Sequence, residues 1–401
     1  MRSADVPLKT AGLQWAEQIP IHWQTKAIWM LFELGRGRVI SNEEITDNPG
    51  PYPVYSSQTV DAGILGKINT YDFEGDYLTW TTDGANAGTV FPRSGKFNCT
   101  NVCGTLKRKT ASVDLRFFYY ALNTATHWFV RHDINPKLMN NVIAGIRVPV
   151  PLLSEQQMIA TYLDRETSHL DKLIAAKERL LALLTEKRRA LIMRAVTRGL
   201  DPTAPLRDSG IPWLGEIPTH WEILRLKFAC ASLQTGPFGS QLHAEDYIEN
   251  GVPVINPAHL AEGRIVPDNG VSVDNEAAVR LAIHLLEPGD IVFARRGELG
   301  RCGLVTDVEA GWLCGTGSLR ARPRKDKLFA EYVILVMANT FAADLLTLES
   351  VGTTMDNLNT EILGDLAIPA PPFPEQRAIV AHITKETAKL DALREVTERT
   401  I

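Results

Sequence analysis

The segment TAGLQWAEQIPIHW at Thr10–Trp23 returns at Asp208–Trp221 as DSGIPWLGEIPTHW. Gly12, Trp15, Ile19, Pro20, His22 and Trp23 are matched by Gly210, Trp213, Ile217, Pro218, His220 and Trp221, always 198 positions later. A second pair of segments matches at an offset of 220: VPVPLLSEQQMIATYLDRETSHLDKL from Val148 and IPAPPFPEQRAIVAHITKETAKLDAL from Ile368. There Pro149, Pro151, Glu155, Gln156, Ile159, Glu166, Thr167, Leu170 and Asp171 recur as Pro369, Pro371, Glu375, Gln376, Ile379, Glu386, Thr387, Leu390 and Asp391. Such a chain is constrained to fold as two copies of one unit. The ends of the copies were kept while the middles diverged, which suggests one scaffold presenting two different readers.

Composition sets the outer limits. At 401 residues, 45% hydrophobic and 22% charged, the chain has room for two cores of ordinary domain size. No apolar run approaches a membrane-spanning length; YVILVMA at Tyr332–Ala338 reads as a buried strand or helix. The polar start MRSADVPLKT lacks the apolar centre of a signal peptide. Cys99, Cys103, Cys230, Cys302 and Cys314 are odd in number without C-x-x-C spacing, so they read as reduced and structural, and the expected compartment is the cytoplasm. A net charge of −5 argues mildly against a nucleic-acid partner. Basic residues nevertheless cluster inside both middles: Lys107, Arg108 and Lys109; Arg295, Arg296 and Arg301; Arg320, Arg322, Arg324, Lys325 and Lys327. Each run is either a solvated face or a phosphate contact, and their recurrence favours DNA.

The most legible element lies between the halves. Pro149 and Pro151 close a strand, Ser154 offers an N-cap with an acidic first turn, and Leu163, Leu170, Leu184 and Leu191 share one heptad position with Leu173 and Leu180 on its partner. A helix is expected over 154–198, ended by Gly199 and Pro202 and on the order of 68 Å long. Its counterpart begins at Pro374 with Ile379, Ile383, Leu390 and Leu393 and has only EVTERTI after the matched region, so it is either naturally short or truncated by about 20 to 30 residues. The middles read as short strands separated by Gly, Asn, Asp and Pro turns. Gly75-Asp76 aligns with Gly289-Asp290, and Cys103-Gly104-Thr105 with Cys314-Gly315-Thr316. The expected boundaries are a first domain at 1–153, a central helix at 154–199, a second domain at 200–373 and a final helix at 374–401.

The duplicated IPxHW entry, TGPFGSQL at Thr235–Leu242, GDIVFARRGELG, VGTTMDNLN and the paired P-x-P…EQ…I helix entries together resemble the specificity subunits of type I restriction-modification systems over nearly the whole length. That resemblance implies an α+β protein with an internal pseudo-twofold repeat: two mixed α/β target-recognition domains joined by long helices packed as an antiparallel coiled coil. It implies that each domain reads one half of a split double-stranded DNA sequence. It also implies two modification subunits and restriction subunits as partners, no catalytic centre or cofactor on this chain, and S-adenosylmethionine, ATP and Mg on the partners.

The residues agree on chemistry. There is no G-x-x-x-x-G-K-[ST] loop and no N-P-P-Y or D-P-P-Y tetrapeptide; GANAG and GELGRCG lack a following amphipathic helix and read as turns. His22 and His220, duplicated beside Trp in the entry segments, favour packing over catalysis, and Cys99 with Cys103 has no equivalent pair or neighbouring histidine to hold a metal. Side chains able to reach base edges or phosphates are the DNA-binding candidates. In the first half these are Ser56, Ser57, Gln58, Thr81, Thr82, Asp83, Asn86, Lys137 and Asn140; in the second, Gln234, Ser240, Gln241, Arg295, Arg296, Thr353, Thr354 and Asn357. Two alternatives stay open: a repeat scaffold that binds protein partners without DNA readout, and a stand-alone DNA-modifying enzyme.

Overall fold

The computed structural model describes residues 6–132, 135–238, 241–268, 270–338, 346 and 358–401. It divides into two compact units, Met1–Leu173 and Ile174–Ile401.

The first unit opens with a hairpin of Leu8–Leu13 and Ala16–Pro20. Its main antiparallel sheet has the order Phe32–Arg36, Cys103–Arg108, Tyr77–Thr81, Val90–Arg93. Tyr77–Thr81, YLTWT, is buried at every position, as a central strand rich in aromatic and β-branched residues should be. Helix Leu115–Thr126 covers the sheet with Phe117, Phe118, Leu122 and Ala125, and the Asp114 carboxylate caps it by accepting from the Arg116 and Phe117 amides at 2.9 and 3.2 Å. A smaller sheet pairs Pro49–Tyr55 in parallel with Lys96–Cys99.

The second unit repeats this plan. A hairpin of Leu206–Asp208 and Glu216–Pro218 leads to an antiparallel sheet ordered Cys230–Thr235, Ser318–Pro323, Ile291–Ala294, Cys302–Leu304, and Val252–Ile255 pairs in parallel with Leu313–Cys314. One alignment drawn from the sequence is corrected. Cys314, like Cys99, ends the parallel strand, and the residue after each donates its amide across the pair, Thr100 to Tyr55 and Gly315 to Ile255. Cys314 therefore occupies the place of Cys99, while Ser318 occupies that of Cys103, because the local identity CGT is outweighed by strand pairing.

The central helix runs Leu153–Arg198. Ser154 lies inside the first turn; the Leu152 amide instead donates to Glu155 Oε2 at 3.2 Å, so the carboxylate serves the open helix start. Gly199 closes the helix with φ +73°, and a Cβ there would lie 3.1 Å from the Trp221 ring, so both backbone and space call for glycine. Within the second unit the later part of this helix runs antiparallel to Phe373–Arg399: Lys177 donates to the Thr400 carbonyl and Arg188 pairs with Asp391. Ile192, Ala195 and Val196 share one core with Ile379 and Ile383, Leu191 packs on its edge and Leu184 is buried. Leu163 and Leu390 are half-buried, while Leu170, Leu173, Leu180 and Leu393 are exposed.

Candidate nucleic-acid interface

In each unit a tight turn follows the parallel strand, and three further loops attach to it by backbone hydrogen bonds. In the first unit this turn is Cys99–Cys103. Thr100 donates to Tyr55, Gly37 to Cys103, and Thr82 to Val102. In the second, Gly315 donates to Ile255, Gly236 to Ser318, and Arg295 to Gly317. The approach of the glycine loop is too close for a side chain: a Cβ at Gly37 would lie 2.1 Å from the Cys99 carbonyl oxygen, and one at Gly236 1.9 Å from that of Gly315. A fourth loop joins identically. The Leu138 amide donates to Thr82 and the Leu358 amide to Arg295, each at 2.9 Å. Thr82 and Arg295 are thus the same backbone position carrying different side chains.

This geometry gathers most first-half candidates at one end of the unit. Ser56, Ser57 and Gln58 continue the strand ending at Tyr55, with the Gln58 amide turned inward to the Ile64 carbonyl. Thr81 and Thr82 are buried; the Thr81 hydroxyl donates to the Asn86 carbonyl and the Thr82 hydroxyl to Asp83 Oδ2 at 2.6 Å. Asp83 meets Lys137 Nζ at 3.6 Å, so this first-unit lysine charge is neutralised within the loop cluster. Asn140 donates to the Gly35 carbonyl at 3.2 Å.

The second-half candidates separate by what already occupies them. Gln234 Oε1 accepts from buried Arg320 at 2.7 Å, and Gln241 Oε1 from the Phe238 amide at 3.0 Å. Arg295 Nε donates to the Leu358 carbonyl at 3.2 Å; burial, then the neighbouring charge of Arg296, lowers its pKa. Arg296 is exposed and makes no ion pair or hydrogen bond through its guanidinium among the described residues. Ser240, Thr353, Thr354 and Asn357 lie outside the described residues. Two side chains missing from the sequence reading also stand at this end: Val39, 72% exposed, and Phe238, 60% exposed, each two residues after the close-packed glycine. The GPFG turn was the available signal for Phe238; nothing in GRVI marks Val39.

The basic run at 320–322 has a different role. Arg320 is 6% exposed and donates to the Ile283, Leu285 and Gln234 oxygens; Arg322 grips Asp290, itself 1% exposed, at 2.7 and 2.8 Å and reaches Glu287 at 2.7 Å. These arginines are structural and offer no phosphate face. The five cysteines are unpaired and buried, and burial pushes the Cys230, Cys302 and Cys314 thiols up to about 12.

The retained ends of the repeat build a joint beneath each reader. His22 Nε2 meets Glu155 at 2.8 Å, and His220 Nε2 meets Glu375 at 2.9 Å, with Trp23 and Trp221 donating to the same carboxylates. Buried Gln156 and Gln376 follow. Gln156 accepts from the Asp114 amide and donates to the Ser112 and Pro151 carbonyls; Gln376 accepts from Phe329 and donates to Lys327 and Pro371. The two histidines are therefore positioning groups for helix starts. Among the described residues no helix is long and apolar enough to cross a membrane.

Comparison with known proteins gives one family. The sequence profile of the type I restriction modification DNA specificity domain matches residues 20–185 and again 220–398. The chain is 41% identical over 145 residues to the specificity subunit of the type I restriction enzyme MpnII of Mycoplasma pneumoniae, covering 36% of this chain and 43% of that one. Similarity to the MjaVIII specificity subunit of Methanocaldococcus jannaschii is 23% identity over 387 residues, 91% of this chain and 86% of the relative. Among solved structures, a chain from a study of assembly and conformational transition of the type I R-M system shares the fold at a TM-score of 0.68, with 16% identity and coverage of 95% and 94%.

Proposed function

The chain belongs to the type I restriction-modification DNA specificity family, whose members are non-catalytic DNA-recognition components, and from that premise we propose that it reads a bipartite target, one half through each unit. The observation that carries this reading is the shared backbone position of Thr82 and Arg295: four loops are held in the same way in both units while the side chains they present differ. Equal scaffolds with unequal tips suit recognition of two unrelated half-sites. In the first unit Ser56 and Ser57 supply short polar groups beside the Asp83–Lys137 ion pair. In the second, Arg296 is the group suited to bidentate contact with guanine, and Phe238 to apolar contact with a thymine methyl.

Membership of the family also supports a reading of the partners. Methyl transfer and strand cleavage belong to modification and restriction subunits that dock on this one, bringing S-adenosylmethionine, ATP and Mg with them. The duplicated joints would offer two similar docking surfaces, consistent with two modification subunits. The test is a base-resolution methylation map of cells carrying the cognate modification subunit with and without this chain. A split motif that appears only with the chain supports the reading. A stable complex that adds no motif rejects it, and protein binding without salt-sensitive DNA binding favours a scaffold.

A further inference from the structure

We propose that the second unit carries an anion site, separate from the reading loops, that takes phosphate groups. A cavity of about 660 Å³ opens between the paired helices and the sheet of this unit, within the size range of small-molecule sites. Five arginines line it, Arg188, Arg189, Arg264, Arg301 and Arg394, together with three acidic residues, Glu262, Glu298 and Asp391. The lining is therefore cationic in a chain whose net charge is −5.

The arginines are not all spent on one another's partners. Arg188 pairs with Asp391, Arg394 with Glu398 at 2.8 Å and Arg301 with Glu298 at 3.4 Å, while Arg301 Nε and Nη2 also donate to the Leu260 carbonyl at 3.1 and 2.8 Å, which fixes that guanidinium in place. All three are solvent-accessible pairs, which hold little energy and can be exchanged for a stronger anion. The guanidiniums of Arg189 and Arg264 have no ion pair or hydrogen bond among the described residues. Behind this rim the floor is apolar: Leu184, Ile192, Leu299, Cys302 and Met337 are each less than 9% exposed. Cationic walls over a low-dielectric floor focus the field and raise local anion concentration. Planar guanidiniums arriving from two helices, from the short strand Arg264–Ile265 and from Arg301 suit the tetrahedral oxygens of phosphate, which they bind in pairs.

Phosphate could be presented by a free polyphosphate or by a DNA backbone, and one experiment separates them. Pyrophosphate is titrated calorimetrically into the full chain, its Arg189→Ala/Arg264→Ala double variant, and an Arg179→Ala/Lys187→Ala variant that removes the same charge from surface positions outside the cavity. Expected is binding by the wild type and the surface variant, weakened at least tenfold in the cavity variant, with thermal unfolding unchanged in all three. Displacement of bound pyrophosphate by a nonspecific duplex assigns the site to the DNA backbone; retention in saturating duplex assigns it to a free polyphosphate. Absence of pyrophosphate binding at millimolar concentration, or equal weakening in both variants, overturns the site. Because Arg296 and the reading loops are untouched, loss of the site leaves the recognised sequence unchanged, so the two readings fail independently.

Discussion

His220 and Glu375 stand 155 residues apart and meet at 2.9 Å, and the same carboxylate accepts from Trp221 Nε1 at 3.1 Å. Trp221 is 1% exposed, so removing the acceptor strands a buried donor. Glu375→Ala should lower unfolding stability by about 1–3 kcal/mol. The first-unit equivalent, Glu155→Ala, should cost less, because Trp23 is only half-buried with a 3.5 Å contact, and the Leu152 amide that also loses its acceptor belongs to an exposed residue open to water. Denaturant titration of both variants measures the difference, and equal losses would contradict the account.

The first joint should also be acid-sensitive. The hydrogen bond from His22 holds the Glu155 carboxyl below the usual carboxylate range. A depressed folded pKa gives stability that is present above the unfolded value, about 4.3, and is lost as pH falls through the folded one. The gap in urea midpoint between wild type and His22→Ala should therefore narrow below about pH 4. A gap that stays constant to pH 3 would show that the pair adds no pH dependence.

Gln376 has no exposed surface and its amide nitrogen faces two carbonyl oxygens. Gln376→Glu preserves shape but sets an ionised oxygen against those carbonyls. At neutral pH the loss should be about 3 kcal/mol or more, easing on acidification because protonation restores one donor. Unfolding followed at pH 7 and pH 4 checks this, and greater destabilisation at the lower pH would refute it.

Arg296 and Arg320 are both arginines of the second middle with opposite expected outcomes. Arg296→Ala should leave stability within about 0.5 kcal/mol while relaxing recognition in one half-site. Arg320→Ala removes a buried donor to three oxygens and should destabilise by about 1–3 kcal/mol. Methylation maps and thermal melts of the pair distinguish them; a changed motif in both halves for Arg296→Ala would overturn its assignment.

If the central helix fixes the separation of the half-sites, removing the four residues Ala175–Glu178 shortens it by about 6 Å. The spacer in the methylated motif should then change by roughly one to two base pairs at about 3.4 Å each. An unchanged spacer in an assembled complex would reject the helix as a ruler.

Much of this was legible because duplication is written directly in the sequence. The matched HW and EQ pairs marked the joints, since each residue type was retained for a contact made identically in both units. Heptad leucines and the Gly199 stop marked the central helix, because helical periodicity and termination are local properties. Tertiary structure decided what local pattern could not. Arg296 and Arg320 look alike in sequence, but one lies in solvent on the bend after the strand Ile291–Ala294 while the other donates from within a strand to carbonyls of Ile283 and Leu285. Cys314 shares CGT with Cys103 yet takes the place of Cys99, because its neighbours are set by the parallel partner strand. Leu170 and Leu191 share a heptad position, but only the latter meets the core of the second unit. The sequence by itself determined the repeat, the long helices and the retained segments; which residues of those segments meet, and which arginines remain free to recognise anything, depended on strand pairing and burial between residues far apart in the chain.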